Sequence, residues 1–259
     1  MQDFKIHLNF ERDDKSHTIE SYKSRGGYRY LEKCITSHKS EEIVEIVKAS
    51  KIRGRGGAGF PAGQKWSFLP KNSTKPAYLL CNADEGEPGT FKDRLIMEEN
   101  PHQLVEGMII SSYAIRAAHS YIYIRGEYKR SEVRLRAAVE EVYKAGYLGR
   151  NIFNSGYDCH LTVHMGAGAY VVGEETGLIN SLEGKKGMPR LKPPFPALVG
   201  LFDCPTVVNN VETIAAIPYI LEVGGQDYAK IGTENSTGTK LFSVSGHIRK
   251  PGVYEVPMG

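Results

Sequence analysis

Residues 53–66, RGRGGAGFPAGQKW, form a glycine-rich run whose backbone is suited to lie against a phosphorylated ligand. Glycine lets main-chain N–H groups approach a ligand where a Cβ would collide, and such groups bind phosphate oxygens. Gly54, Gly56 and Gly59 satisfy the spacing G-x-G-x-x-G. However, the segment before them predicts a helix, whereas a dinucleotide-binding turn follows a strand. Taken alone, the run fits a nucleotide cradle and a surface loop without a ligand about equally well.

A second candidate is an acidic turn that follows a short apolar segment. Residues 77–81, AYLLC, predict a buried strand. The polar residues that come directly after it are Asn82, Asp84, Glu85 and Glu87. Polar groups at the carboxyl end of a parallel strand are where open α/β sheets bind ligands. Neighbouring carboxylates repel one another unless solvent screens them or a ligand donates hydrogen bonds to them. A solvated acidic loop is the alternative, and the adjacent buried strand argues against it.

A third segment joins a predicted strand to a predicted helix through glycines. Residues 159–165 alternate as a strand does, and the sequence after them turns into a helix that Glu174 and Glu175 open. His160 and His164 share one face of the strand. Because no third ligand lies near them in the sequence, we expect both histidines to be structural and predict no metal site in this chain.

A fourth segment, residues 206–213 (TVVNNVET), places two amide side chains between a short strand and a helix. Asn209 or Asn210 as the helix N-cap is the simpler explanation. Amides at a helix start can also hydrogen-bond a phosphate or the edge of a flavin ring. Pro218 must kink or shorten the helix that follows.

The composition is that of a protein with an ordinary folded core. The chain has 259 residues, of which 41% are hydrophobic, enough for one large domain. A net charge of +3, with basic and acidic residues mixed, argues against nucleic acid as a partner. The N-terminal sequence has no signal-peptide character, and no apolar stretch reaches membrane-spanning length. The four cysteines are isolated in the sequence, which indicates a reducing compartment and argues against a cluster held by this chain alone.

The elements that must position these segments alternate between strand and helix. The first predicted helix covers residues 40–51, with Ser40 as its cap. Further on, a long helix begins at Asn100, residues 121–125 form a strand, and Ser131 caps the next helix. This βαβα order predicts an α/β fold with a mostly parallel, doubly wound sheet that is covered on both faces.

Together and in this order, the four segments resemble the NADH-oxidising FMN flavoprotein subunit of bacterial respiratory complex I, that is, the family of 51-kDa subunits. The motifs that carry the resemblance are RGRGGAGFPAGQKW, NADEGEPGTFKDR, GAGAYVVGEETGLINSLEG and PTVVNNVET. It extends from about Tyr22 to Gly259. It implies a Rossmann-like domain that binds FMN and NADH/NAD and transfers a hydride from NADH to FMN. Single electrons would then pass to iron-sulfur clusters for quinone reduction.

The resemblance also implies roles for individual residues of this sequence. The residues of the glycine-rich run that would cradle FMN and NADH are Gly54, Gly56, Gly57, Gly59 and Lys65. The residues matching those that hold the flavin ring, ribityl chain and phosphate are Asn82, Asp84, Tyr170, Gly173, Glu174, Asn209 and Asn210. The aromatic residues matching those that stack on the dinucleotide are Phe60, Phe68 and Phe195. The carboxylates matching its contacts, which we assign as catalytic, are Glu87 and Glu175, and the matching cation is Lys192. The carboxylates expected to place negative charge near the flavin are Glu85, Glu87 and Glu174.

Elementary chemistry is consistent with these roles. Hydride transfer needs the nicotinamide and flavin rings stacked, so glycines that keep one flavin face clear of Cβ atoms favour it. Carboxylates accept hydrogen bonds from ribose hydroxyls and repel a 2′-phosphate, so we expect Glu175 to disfavour NADPH. Phe68 and Phe195 have a simpler alternative, because most phenylalanines are core residues.

The family pattern also predicts the domains and partners. Residues 1–39 are expected to form an N-terminal extension and residues 40–237 the FMN- and NADH-binding domain. Residues 238–259 should begin a β-grasp (SLBB) domain that is truncated in this sequence. A 4Fe-4S cluster is expected in full-length members, but its ligands are not in this chain. The expected partners are other peripheral-arm subunits, especially a thioredoxin-like 2Fe-2S subunit. They would hold the protein at the cytoplasmic side of the bacterial inner membrane.

Two alternatives remain open on the sequence. The module also occurs as the diaphorase subunit of soluble NAD-linked hydrogenases and formate dehydrogenases. Such relatives often carry ferredoxin-like domains ahead of it, whereas only residues 1–39 precede the first predicted helix here, which favours complex I. A non-catalytic nucleotide-binding module is the other alternative, if the cluster domain is truly absent.

Overall fold

The computed structural model describes residues 4–259, so the first three residues of the predicted N-terminal extension lie outside the described residues. The helices are α1 Ile19–Ser24, α2 Leu31–Ser37, α3 Ser40–Ala49, α4 Ala62–Ser67, α5 Lys92–Glu99, α6 Pro101–Ala114, α7 Lys129–Lys144, α8 Glu175–Leu182, α9 Val211–Ala215, α10 Ile217–Val223 and α11 Gly225–Tyr228. The strands are β1 Tyr78–Ala83, β2 His119–Ile124, β3 His160–Met165, β4 Thr206–Asn210, β5 Gly232–Thr233, β6 Ser236–Thr237, β7 Thr239–Val244 and β8 Gly252–Pro257. Short 3₁₀ helices cover Ile152–Asn154, Tyr170–Gly173 and Leu201–Asp203.

The main sheet consists of four parallel strands in the order β3-β2-β1-β4. In its centre, Leu80 of β1 pairs with Tyr121 of β2 on one side and with Val208 of β4 on the other. The chain moves outward from β1 to β3 and then returns to the opposite side of β1. The winding direction therefore reverses between β1 and β4, which confirms the doubly wound sheet and creates a switch point, where such sheets bind ligands.

The sheet separates two hydrophobic cores, as strand alternation requires. Leu79 and Cys81 face the larger core, which also contains buried residues of α6 and α7. Leu80 faces the opposite way and packs with Tyr123 and Ile179, so α8 covers the second face. Both faces are covered, as the sequence pattern predicts.

Two helices lie before residue 40, where the sequence predicts none. Helix α1 begins after Thr18, whose side chain accepts a hydrogen bond from the Ser21 N–H. The Tyr22 hydroxyl donates to the buried carboxylate of Glu106 at 2.5 Å. Leu31 of α2 is fully buried. Helices this short have little intrinsic stability, so packing against the core, which sequence periodicity does not report, decides that they form.

Helix starts agree only partly with the predicted caps. Helix α3 begins at Ser40, but Lys39 occupies the cap position. Helix α7 begins at Lys129, so the prediction that Ser131 caps it is wrong. Ser131 is buried instead and donates a hydrogen bond to Glu98 at 3.2 Å. Pro218 shortens the helix after β4 as expected, because α9 ends at Ala215 and α10 is a separate helix.

The last two strands, β7 and β8, pair antiparallel and form a hairpin. The Glu255 carboxylate on β8 accepts hydrogen bonds from the backbone N–H groups of Ile6, His7 and Leu8 at 2.9–3.2 Å. Thr239 on β7 donates to the same carboxylate at 2.6 Å. The N-terminal segment is therefore tied directly to the hairpin.

The two strand histidines, His160 and His164, lie against other rings, and the cysteines are buried. His160 stacks on His119, and His164 stacks on Tyr123. The four cysteines are buried and unpaired. Between residues 4 and 259, no cluster of three or more His, Cys, Asp or Glu side chains has the arrangement of a metal site. No helix in the same range has the length and apolar character needed to cross a bilayer.

Candidate cofactor site

The segments that carry most of the predicted site residues meet at the carboxyl ends of β1 and β4. Four contacts join the segments that carry them. A Cβ on Gly56 of the glycine-rich loop would lie 3.2 Å from the Asn210 Cβ. Asn82 donates to the Gly173 carbonyl at 2.8 Å, and the Tyr170 hydroxyl donates to Glu87 at 2.5 Å. Lys65 reaches Glu175 at 2.9 Å. These contacts bring the glycine loop, the acidic turn and the start of α8 together, and we call the region between these three segments the cleft.

The glycine-rich loop between α3 and α4 is closed at its base. The Gly54 N–H donates to the Phe60 carbonyl at 2.9 Å, and Arg53 bridges to Pro61. Gly57 and Gly59 have φ values of +112° and +63°, which L side chains rarely adopt. A Cβ on Gly57 would meet no described atom within 4 Å, so the space beside it is open. The loop therefore forms a cradle in which Gly57 and Gly59 adopt backbone conformations that other residues rarely adopt.

Arg55 is a residue of this loop that sequence reasoning missed. It is 4% exposed, and its guanidinium donates to the carbonyls of Thr237 at 2.7 Å and Thr239 at 3.2 Å. Its backbone N–H donates to the Thr213 hydroxyl at 2.9 Å. In the sequence, Arg55 stands out only as an arginine between two glycines, and this pattern does not predict where its side chain points. Arg55 fixes the loop to α9 and the hairpin.

The three asparagines of the site all hydrogen-bond the protein. The Asn82 side chain donates to the Gly173 carbonyl, and its amide oxygen accepts a hydrogen bond from the Asp84 N–H at 3.1 Å. Asn209 lies on the larger-core face and accepts from the Trp66 indole N–H at 2.8 Å. Asn210 caps α9 by accepting the Glu212 N–H, as the N-cap interpretation predicts. The amides hold the loops that border the cleft, and direct contact with a cofactor stays a prediction for them.

Asp84 carries an unsatisfied oxygen in the acidic turn. Its Oδ2 is buried, and within residues 4–259 it has no hydrogen-bond partner. Burial raises the pKa of Asp84 to about 6, with Arg125 opposing and Glu127 adding to the shift. A buried polar atom without a partner is costly, and the large majority of buried polar side-chain atoms in native proteins have a hydrogen-bond partner from the protein or from ordered water. This oxygen fits a ligand that presents hydroxyl groups to the cleft.

Glu85 is not brought together with the other carboxylates. It is 6% exposed and accepts the backbone N–H groups of Asp93 at 2.9 Å and Arg94 at 3.0 Å. Burial, and to a smaller extent the negative charge of the neighbouring Asp93, raises the pKa of Glu85 to about 7. The structure thus places this side chain at the N-terminus of α5, where unpaired helix N–H groups bind a carboxylate well.

A chain of alternating charges lines the α8 side of the cleft. Glu175 contacts Lys65 at 2.9 Å and Lys192 at 2.8 Å, and Lys192 also contacts Glu174 at 2.9 Å. Glu174 caps α8 by accepting the N–H groups of Thr176 and Gly177. Burial alone would raise the pKa of Glu175, but Lys65 and Lys192 outweigh it and hold the pKa below its usual value. Glu175 is therefore ionised at neutral pH.

The aromatic rings predicted to stack on the dinucleotide are exposed, which excludes the alternative that Phe68 and Phe195 are core residues. Phe60 and Phe68 are 42% and 51% exposed, and their ring centroids are 5.9 Å apart. Phe195 is 56% exposed and Tyr170 is 67% exposed. Exposed rings of this kind are available to stack on a flat ligand.

Comparison with known proteins identifies a family. Residues 47–219 match the Nuo51 FMN-binding domain of the complex I 51-kDa family. The chain is 56% identical over 243 residues to a subunit of the NADH-quinone oxidoreductase of Rhizobium meliloti, covering 94% of this chain and 58% of that protein. It is 57% identical over 251 residues to the corresponding NADH-quinone oxidoreductase subunit of Aquifex aeolicus, covering 97% of this chain and 58% of that protein.

A solved structure shares the fold. The crystal structure of an NAD+-reducing [NiFe]-hydrogenase in the H2-reduced state superposes with a TM-score of 0.83 at 41% identity. The match covers 92% of this chain and 40% of the hydrogenase chain. The chain thus spans 58% of the length of the two curated relatives and less than half of this structural neighbour.

Proposed function

The chain belongs to the Nuo51 FMN-binding domain family, and from this membership and the cleft we propose that it binds FMN and NADH and carries the NADH-oxidising step of an NADH-quinone oxidoreductase. The observation that carries the proposal is that the glycine loop and an unsatisfied Asp84 oxygen lie at the switch point between β1 and β4, with the exposed Phe60 following the last glycine of the loop. A flavin requires these features: backbone N–H groups for its phosphate, acceptors for its ribityl hydroxyls and an open face.

The residues fit FMN in the following way. The N–H groups of the glycine loop and the ammonium group of Lys65 supply donors for a phosphate. Asp84 offers the buried oxygen to a ribityl hydroxyl, and Asn82 keeps the acidic turn in place against Gly173. When bound, FMN supplies a two-electron acceptor for a hydride. The role of the chain is to hold two rings in contact and to keep one face of the site free of side chains.

The NADH side of the proposed site uses the remaining groups. Phe60, Phe68 and Phe195 are placed to stack on the dinucleotide, each contact contributing roughly 0.5 to 1.5 kcal/mol beyond its buried area. The ionised Glu175 accepts hydrogen bonds from ribose hydroxyls. Glu87, whose orientation the Tyr170 hydroxyl fixes, provides a second carboxylate. We keep Glu87 and Glu175 as the catalytic pair because both would contact the dinucleotide that reacts.

Replacing Glu175 by Gln is expected to raise the use of NADPH relative to NADH. A charge repulsion at about 4 Å is worth on the order of 1 to 4 kcal/mol, and removing it also frees Lys65 and Lys192 to attract a 2′-phosphate. Because these lysines already offset part of the repulsion, we expect a change near the lower end, about tenfold in the ratio of the two kcat/KM values. The measurement is NADH- and NADPH-ferricyanide reduction by the FMN-loaded protein.

The matched control for this variant is Glu140→Gln, which removes a carboxylate that is 67% exposed and pairs with Lys144 on the surface of α7. We expect its cofactor ratio to equal that of the wild type. A Glu175→Gln protein with an unchanged ratio would remove this carboxylate from the ribose site.

Electron delivery beyond the flavin requires partners. In the proposed enzyme, single electrons leave for iron-sulfur clusters, and quinone is reduced by other subunits of a complex I peripheral arm, including a 2Fe-2S subunit. Attachment to the cytoplasmic side of the membrane would be through that complex. The structural neighbour favours one alternative, the diaphorase part of an NAD-linked hydrogenase, which uses the same nicotinamide chemistry. The names of the curated relatives favour the complex I assignment.

Loading with FMN tests the first half of the proposal. We expect the purified protein to retain about one noncovalent FMN per chain through gel filtration, as a dedicated flavin site would. Protein that emerges without flavin after incubation with excess FMN would overturn the proposal.

A further inference from the structure

Four residues form a closed ring of contacts beneath the glycine loop, which we call the buried ring: Lys92, Asp93, Asn210 and Glu212. Three of its contacts join side chains, and the fourth is made by the Glu212 backbone N–H. The Lys92 ammonium lies 2.7 Å from Asp93 Oδ1 and 2.8 Å from Glu212 Oε2. Asp93 Oδ2 accepts from the Asn210 amide at 2.7 Å. Asn210 Oδ1 accepts the Glu212 N–H at 3.0 Å, which closes the ring. Each end of the Asn210 side chain is thereby fixed.

The charged members of the ring are almost completely removed from solvent. Lys92, Asp93 and Glu212 are 6%, 3% and 0% exposed. Burial alone would raise the pKa of Glu212, yet Lys92 and then more distant cations hold it below its usual value, so Glu212 stays ionised. Removing one member of a buried ion pair leaves an uncompensated charge, which is far more damaging than losing a surface pair.

On one side, the buried ring touches the proposed cofactor site. The position that a Cβ on Gly56 would occupy is 3.2 Å from Asn210 Cβ and 3.7 Å from its Cγ. Gly56 therefore lies against the Asn210 side chain, whose amide is hydrogen-bonded at both ends. The Nε atom of Arg55, the residue before Gly56, lies 4.0 Å from Glu212 Oε1.

On the other side, the buried ring holds the β7-β8 hairpin. Glu212 Oε1 accepts the backbone N–H of Leu241 at 2.8 Å. Lys240 approaches Glu212 Oε2 at 3.9 Å. Arg55 reinforces the same junction, because its guanidinium binds the carbonyls of Thr237 and Thr239. Glu212 thus contacts the hairpin through both oxygens, and its Oε2 is shared with Lys92 of the ring.

We propose that the buried ring is a positioning device that couples the hairpin to the glycine loop, with Lys92 and Glu212 as positioning residues for FMN. The hairpin holds Glu212. Glu212 and Lys92 in turn hold Asp93, and Asp93 holds the amide of Asn210, whose Cβ lies beside Gly56. The identity of the ligand rests on the proposed function, whereas the coupling itself is a property of the protein without ligand.

Lys92→Met tests the coupling, because methionine fills similar space without the charge. We expect amide hydrogen exchange, measured without FMN, to become faster in both residues 53–61 and residues 239–244. We also expect the Kd for FMN, measured by quenching of flavin fluorescence, to rise at least about tenfold. Lys144→Met is the matched control, because that ammonium is 72% exposed and pairs with Glu140 on the surface, and it should change neither quantity.

Glu212→Gln provides a second variant should Lys92→Met fail to fold. It keeps an acceptor for Leu241 but presents an uncharged group to Lys92, so we expect the same two segments to exchange faster. Faster exchange in both segments supports the coupling, whereas faster exchange confined to the hairpin, or unchanged exchange in both, overturns it. A wild-type protein that does not bind FMN would refute the proposed function, and the exchange data would still decide the coupling.

Discussion

Gly56 changed to Val is expected to weaken FMN binding about 10- to 100-fold while the chain remains folded. The new Cβ would stand 3.2 Å from Asn210 Cβ, tighter than an ordinary contact, and the two γ-carbons of valine would need still more room. Asn210 Cβ is fixed by the backbone at the end of β4, and Asp93 and the Glu212 N–H hold the amide of the same side chain at both ends. The glycine loop must move instead, and its N–H groups move with it.

Ala58→Val is the matched control for Gly56→Val, since it adds two methyl groups to an exposed residue of the same loop that already carries a Cβ. We expect its FMN affinity to stay close to that of the wild type. Equilibrium dialysis with FMN measures both variants, and thermal unfolding checks that both are folded. Wild-type affinity in Gly56→Val would mean that the loop does not approach the flavin.

Asn82 changed to Ala is expected to lower FMN affinity by a comparable amount through a different cause. The amide joins the Gly173 carbonyl to the Asp84 N–H, and with the Tyr170–Glu87 hydrogen bond it links the acidic turn to the 3₁₀ helix before α8. Alanine leaves both partners unpaired, which costs roughly 1 to 3 kcal/mol and frees Asp84 to move. If that cost falls on the binding-competent state, the Kd for FMN rises about 5- to 100-fold.

Asn72→Ala is the control for this variant, because Asn72 is an exposed asparagine in the loop before β1. The same dialysis experiment should give the wild-type Kd for it. An Asn82→Ala protein that retains wild-type flavin content after gel filtration would show that this amide does not support the site.

The part of the site that sequence could predict is the part encoded by local pattern. An apolar run followed at once by Asn82 and Asp84 predicts a strand with polar groups at its carboxyl end, and β1 has that form. The TVVNNVET segment likewise predicts a strand, an asparagine cap and a helix, and Asn210 caps α9 as expected. Parallel strands then bring these ends to one edge of the sheet, so the location of the cleft follows from the βαβα order.

The rest depended on contacts between residues far apart in sequence. Glu85 sits within the acidic motif, yet its carboxylate binds the N-terminus of α5, and no local pattern distinguishes it from its neighbours. Arg55 reads as one more cation in a glycine loop, although its partners are carbonyls of residues 237 and 239. The buried ring is invisible for the same reason: Lys92 and Glu212 are 120 positions apart and meet only when α5 and α9 pack.

An anaerobic titration of the FMN-loaded protein with NADH tests the central claim most directly. Hydride transfer requires the two rings to be held together by residues that this chain contains, so cluster-bearing partners are not needed for this step. We expect the visible flavin absorbance to bleach with about one NADH per FMN, and readmitted oxygen or ferricyanide to restore it. A protein that binds FMN stoichiometrically, but whose flavin absorbance NADH leaves unchanged, would contradict the assignment of this cleft as a site of NADH oxidation.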